Sequence, residues 1–217
     1  MSKRVFQWHP REGEAAFSLM EILTVIAMLA ILTLLVVPSI RGISSSMDLS
    51  ISGTTMVDTL NLARQTALSL NRPVQVRFFE VPGRNDTALA YRAVGIYVVG
   101  DTGPDQVGKL AFLHHNIVMS GTDAFGTLLR GLPSGEMALP SVDSGGAQKF
   151  SYRYFTFRPD GSAGLPSVAP VGDGDSWHVM LYDLATPPDG QTPPANHLTI
   201  QLLTKSGRTR TFRPGGD

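Results

Sequence analysis

The sequence predicts an α+β protein in which a long N-terminal helix lies on an antiparallel β-sheet. Three observations carry this. An unbroken apolar run spans Phe17 to Val37 with Glu21 as its one charge. After it, Met56, Leu60, Ala63, Ala67 and Leu70 recur at alternating steps of four and three, which places them on one helical face. Beyond Pro73 the period changes to two, as in Val74-Gln75-Val76-Arg77-Phe78, and short apolar runs alternate with Gly, Pro, Asp and Asn.

The first element is a polar leader, residues 1–16, with Lys3, Arg4 and Arg11 against Glu12 and Glu14. A secretory signal loses its apolar region on processing. Here the small-residue junction Ala15-Ala16 precedes the apolar run, so a cut between Ala16 and Phe17 would keep it. The second element is residues 17–40, an expected transmembrane and assembly helix. Its 21 residues from Phe17 to Val37 match the ~20 that a hydrocarbon core requires. Glu21 is costly in lipid without a partner, and such a residue is a functional candidate by default. Three Lys/Arg precede the span and only Arg41 follows within the next 20 residues, which places the N-terminus in the cytoplasm and the bulk outside.

The third element is residues 41–72, an amphipathic continuation. Pro38, Gly42 and Gly53 are expected to break or kink it, because proline removes a backbone donor. If fully helical, Phe17 to Leu70 would reach ~80 Å at 1.5 Å per residue. Asn71-Arg72-Pro73 is expected to end it, since the residue before proline avoids the helical region. The last element, residues 73–217, is an extracytoplasmic β-rich domain. Its expected strands are Val74–Phe78, Tyr91–Val99, Lys109–Met119, Phe150–Phe157, Trp177–Tyr182, His197–Leu203 and Arg208–Phe212, with long loops at 159–175 and 185–196.

The N-terminal pattern resembles the processing site of type IV pilins and type II secretion pseudopilins. In that family a prepilin peptidase cuts just before a Phe, here Phe17, and the new N-terminus is methylated. A Glu at the fifth mature position falls on Glu21, and the helix proline on Pro38. The family prefers Gly before the cut, where this chain has Ala16. The segment Phe155-Thr156-Phe157-Arg158-Pro159-Asp160-Gly161, together with Gly207-Arg208-Thr209-Arg210, is similar to the C-terminal half of minor pseudopilins of the GspH/FimT type. Protein D of the Verru_Chthon cassette has a similar length and an Ala-Phe junction. The resemblance implies a non-enzymatic filament subunit of the inner membrane, single-pass, with its C-terminal domain in the periplasm. Its implied partners are prepilin peptidase, other pilin or pseudopilin subunits, the inner-membrane assembly platform and membrane lipid.

Physical reasoning gives Glu21 a role in such an assembly. Cleavage frees an ammonium on Phe17, and packed helices with an axial offset bring it near a neighbour's Glu21. At ~4 Å and an effective dielectric of ~20 the attraction is roughly 4 kcal/mol before desolvation is subtracted. A single-pass anchor whose Glu21 reaches the headgroups is the competing reading.

Other constellations are weaker. Gly207-Arg208-Thr209-Arg210 resembles the Gly-Arg-x-Arg motif with which FimT-like proteins of DNA-uptake pili contact DNA. Lys205, Arg208, Arg210 and Arg213 could gather around one hairpin and neutralise phosphates; the alternative is a solvated edge strand. Asp173-Gly174-Asp175 offers hard oxygens but lacks the ligand series of a calcium loop. His114 and His115 are expected on opposite faces of a strand, which excludes a shared metal. No metal or other cofactor is expected. Cysteine is absent, so no disulfide or Cys-based metal site exists. Formal charge is zero, and 15 basic and 16 acidic residues remain without the leader. No Gly-x-Ser-x-Gly, phosphate-binding loop or His-Glu-x-x-His occurs, and no catalytic residue is expected.

Overall fold

The computed structural model describes residues 17–83, 87–114, 116–121, 125–140, 147–166, 176–190 and 192–214, with the backbone alone at 34–43, 140, 147 and 176. Ala16, His115 and Asp173–Asp175 lie outside the described residues. The chain divides into two compact units, Met1–Ile43 and Ser44–Asp217, each taken here by itself.

Helix α1 is Leu19–Leu70. Its start has a sequence cause. Ser18 stands before the first turn, and its Oγ accepts a hydrogen bond from the Glu21 backbone N–H at 3.2 Å. Ser18 and Glu21 are spaced as in a capping box. In the first unit every described residue from Phe17 to Thr33 is exposed, including Leu19 at 80% and Met20 at 77%. The hydroxyls of Thr24 and Thr33 donate to the carbonyls of Met20 and Leu29, each at 2.7 Å, so neither is left unsatisfied by an apolar surrounding. Among the described residues no helix is long and apolar enough to cross a membrane. The side chains of 34–43, which complete the apolar run, are not among those described.

Helical backbone continues through Pro38, Gly42 and Gly53, where the sequence predicts interruption. Gly53 is kept for packing. A Cβ there would lie 3.0 Å from Leu198 Cδ1, so the missing side chain lets the sheet approach the helix.

In the second unit α1 lays Leu49, Met56, Leu60, Ala63 and Ala67 against the sheet, all at most 1% exposed. Each large apolar side chain buried this way contributes roughly 1.5–3 kcal/mol. Leu70 does not join the predicted stripe; it is 53% exposed, because the helix ends there. Asn71 then takes a left-handed conformation at φ 49°, which asparagine tolerates and which terminates helices.

Among the described residues ten strands form one antiparallel sheet. They are β1 (Val74–Pro82), β2 (Leu89–Gly100), β3 (Gly103–Phe112), β4 (Ile117–Met119), β5 (Ser134–Pro140), β6 (Ala147–Phe157), β7 (Ala163–Gly164), β8 (Ser176–Asp183), β9 (His197–Leu203) and β10 (Thr209–Phe212). The order is β10-β9-β8-β4-β2-β1-β6-β5, with β3 on β2 and β7 on β6. A short helix α2 (Leu128–Gly131) precedes β5. Its last carbonyls are capped by Arg153, which donates to Leu129 O at 2.8 Å and Arg130 O at 3.2 Å.

The fold class agrees with the sequence; several elements differ from it. The strand expected over Lys109–Met119 is two strands, split at Leu113–Asn116. There the His114 backbone N–H donates to buried Ser52 Oγ at 2.8 Å, turning the chain over α1. His114 is therefore not in a strand, and its Nδ1 lies 2.7 Å from Asp48 Oδ1. The loop expected at 159–175 contains β7, whose Ala163 N–H is held by Thr204 O at 2.9 Å. Helix α2 and strand β5 have no counterpart among the expected elements.

Both sheet faces are buried in part. Val74, Val76, Phe78, Phe155 and Phe157 point to the α1 side. Phe79, Val81, Tyr97, Leu139 and Phe150 form a second cluster on the other side. Arg77 belongs to that second layer, only 6% exposed. Its Cζ sits 4.1 Å from the Tyr97 ring centre and 4.6 Å from that of Tyr152. Nε and Nη2 donate to Gln75 Oε1 at 3.2 and 2.9 Å.

Candidate functional site: a cationic cavity at the terminal hairpin

Strands β9 and β10 pair in the register Leu202↔Thr209 to Thr199↔Phe212. The connecting turn closes with Gly207 N–H donating to Leu203 O at 2.7 Å and Leu203 N–H donating to Arg208 O at 2.9 Å. Gly207 sits at φ 63°, where a side chain is strained. A Cβ on it would also collide with the carbonyl oxygen of Gly161 in the Asp160-Gly161 turn. Only glycine lets these two turns touch.

Arg64 of α1 reaches both turns. Its Nε donates to Ser206 O at 2.8 Å and to Gly161 O at 3.2 Å. Beside this contact lies a cavity of about 500 Å³ lined by Arg64, Leu203, Ser206, Arg208, Thr209 and Arg210. Among the described residues no acidic side chain lines it. Asp160 in the adjoining turn accepts from Ser162 N–H at 2.8 Å and Ser162 Oγ at 2.6 Å. The Ser162 hydroxyl bond, then its backbone bond, holds the Asp160 carboxyl below the usual range.

The predicted basic group is thus divided. Arg208 and Arg210 are exposed and line the cavity; Lys205 is exposed but does not line it. Arg213 faces α1 instead. It donates to Ser46 Oγ at 2.6 Å, Ser50 Oγ at 2.8 Å and Asn196 Oδ1 at 3.2 Å. Arg64 stands off the apolar stripe of α1, and nothing local in the sequence marks its reach into the hairpin.

The residues expected to serve processing and assembly lie elsewhere. Phe17 is 74% exposed and Glu21 is exposed on the first turn. The side chain of Pro38 is not among those described. Among the described residues no group of His, Asp and Glu could hold a metal.

No protein-family profile matches the chain. No curated protein matches it either. Among solved structures it is similar to EpsH, the minor pseudopilin of the type 2 secretion system of Vibrio cholerae. That similarity has 10% identity and a TM-score of 0.43, and covers 78% of this chain and 99% of the other.

Proposed function

We propose that this chain is a minor pilin-like subunit of a cell-envelope filament, processed between Ala16 and Phe17 by a prepilin peptidase and assembled through its N-terminal helix. The observation that carries the reading is the uniform exposure of the apolar helix from Phe17 to Thr33, with the single carboxylate Glu21 in its first turn. A helix apolar on all sides needs lipid or other helices around it. In lipid alone Glu21 is penalised; beside a neighbour's freed Phe17 ammonium it is satisfied. The helix therefore anchors the subunit in the inner membrane before assembly and packs against other subunits afterwards. The unit from Ser44 onward is presented to the periplasm.

Intact mass and terminal peptide sequencing of the membrane-extracted protein test this. A chain beginning at Phe17 with one added methyl is the expected result. A chain retaining residues 1–16 would replace the reading with an unprocessed single-pass anchor that displays a binding domain.

A further inference from the structure

We propose that the cavity beside Arg64 is a docking site for an acidic peptide segment of a partner protein, with one carboxylate seated among Arg64, Arg208 and Arg210. Arg64 is oriented by the backbone. Its Nε is committed to Ser206 O and Gly161 O, which fixes the guanidinium plane at the cavity wall. Among the described residues the two terminal nitrogens have no hydrogen-bond partner, which leaves a planar fork of the kind that pairs with a carboxylate in bidentate fashion. Arg208 and Arg210 add two cations from the hairpin, and among the described residues no acid lines the cavity to compensate them. Thr209 and Ser206 offer further polar contacts, and Leu203 supplies an apolar wall for the stem of a Glu or Asp.

The ligand class follows from the cavity's form. Its cations line one half-open recess of about 500 Å³, the room of a side chain with its neighbours. Single-stranded nucleic acid is held by a groove that tracks successive phosphates and by aromatic platforms for the bases. Among the described residues no aromatic lines this cavity, and Arg213, which would extend the track, is bound to α1. The site lies wholly within residues 44–217 and does not depend on how the N-terminal helix is used, so a chain that fails to assemble still binds.

The test uses the full chain in neutral detergent micelles and fluorescence anisotropy of a rhodamine-labelled peptide of alternating Glu and Gly. Expected are saturable binding and at least a tenfold loss with the Gln-for-Glu peptide. Arg208→Gln and Arg210→Gln should each cost about tenfold to a hundredfold, the loss of one charge-assisted bond. Arg64→Lys should weaken binding similarly, since an ammonium whose donors hold the two carbonyls has no planar fork left for both carboxylate oxygens. Should its melting temperature show that it does not fold, the two hairpin variants decide. Equal binding of the Gln peptide, or unchanged binding in both hairpin variants, overturns the proposal. Displacement of the peptide by inorganic phosphate or a short DNA strand at lower concentration than by unlabelled peptide also overturns it, in favour of a phosphoryl ligand.

Discussion

Arg213 donates to Ser46 Oγ at 2.6 Å, joining the residue after the last strand to a helix residue 167 positions earlier. With Ser50 at 2.8 Å and Asn196 at 3.2 Å, the guanidinium ties α1, β10 and the loop before β9 at one point. The strand β10 is a sheet edge only four residues long, paired among the described residues to β9 alone. Main-chain pairing of that length is weak by itself, so the side-chain clamp is what fixes the edge to the helix.

Arg213→Ala is therefore expected to destabilise the protein by about 1.5–3 kcal/mol, the range for hydrogen bonds to a charged donor that leave partners unsatisfied. Denaturant unfolding of the full chain in detergent measures it. Arg210→Ala, at an exposed position three residues earlier in β10, is expected to stay within about 0.5 kcal/mol of the parent. A reversed ranking would assign the clamp and the surface cation to the wrong residues.

The contrast also marks what the sequence could disclose. Strand β9 occupies His197–Leu203, as its strict alternation predicts, because one face meets the core and the other does not. Residues 134–140, Ser-Gly-Glu-Met-Ala-Leu-Pro, begin and end in turn formers, and their strand exists through pairing with β6. Arg77 sits at an alternate position that reads as outward-facing. Its burial depends on Tyr97 and Tyr152, far along the chain. Arg64 reaches Gly161 and Ser206 from 97 and 142 residues away. Local periodicity carries elements; it cannot carry which distant segments meet.

Tyr97 provides a pH test. It is fully buried, and its hydroxyl has no hydrogen-bond partner among the described residues. Burial raises its pKa above 10.0, opposed by the Arg77 charge and reinforced by Tyr152. The native state then keeps the proton longer than the unfolded chain does. The contribution is complete below the unfolded value of 10.0 and is lost as pH rises from there through the folded value. Tyr97→Phe removes the unbonded hydroxyl, and is expected to be neutral or stabilising by about 1 kcal/mol and to flatten the alkaline decline. Unfolding curves between neutral and alkaline pH compare the two; a parallel decline in both would place the titrating group elsewhere.

Gly207 holds the hairpin turn against the Gly161 turn beside the cavity. Alanine there would carry a Cβ into the Gly161 carbonyl and within 3.0 Å of the Phe157 ring edge, at φ 63°. The left-handed conformation alone costs a non-glycine residue about 1–2 kcal/mol, and the collision adds to it. Gly207→Ala should lower stability by at least about 2 kcal/mol. Gly190, at φ 94° with open space around its would-be Cβ, isolates the conformational part: its alanine variant should cost only about 1–2 kcal/mol. Equal losses at the two positions would mean that the turns separate freely and do not define the site.

Glu21 distinguishes an assembled subunit from a plain anchor. The carboxylate is exposed on the first turn of α1, three residues after the serine whose hydroxyl caps its N–H. Leucine removes the charge and leaves Ser18 as the cap, so helix formation and membrane extraction should be unchanged. Pairing with a neighbour's Phe17 ammonium amounts to roughly 4 kcal/mol before desolvation. The net gain is smaller, and its effect is on register more than on stability. Glu21→Leu is therefore expected to leave processing and membrane levels intact while reducing co-purification with other pilin-like subunits several-fold. Glu21→Asp, which keeps the charge on a shorter stem, should recover part of that loss. Undiminished co-purification of the leucine variant would remove the register role, because an anchor whose carboxylate merely reaches the headgroups has no use for it in assembly.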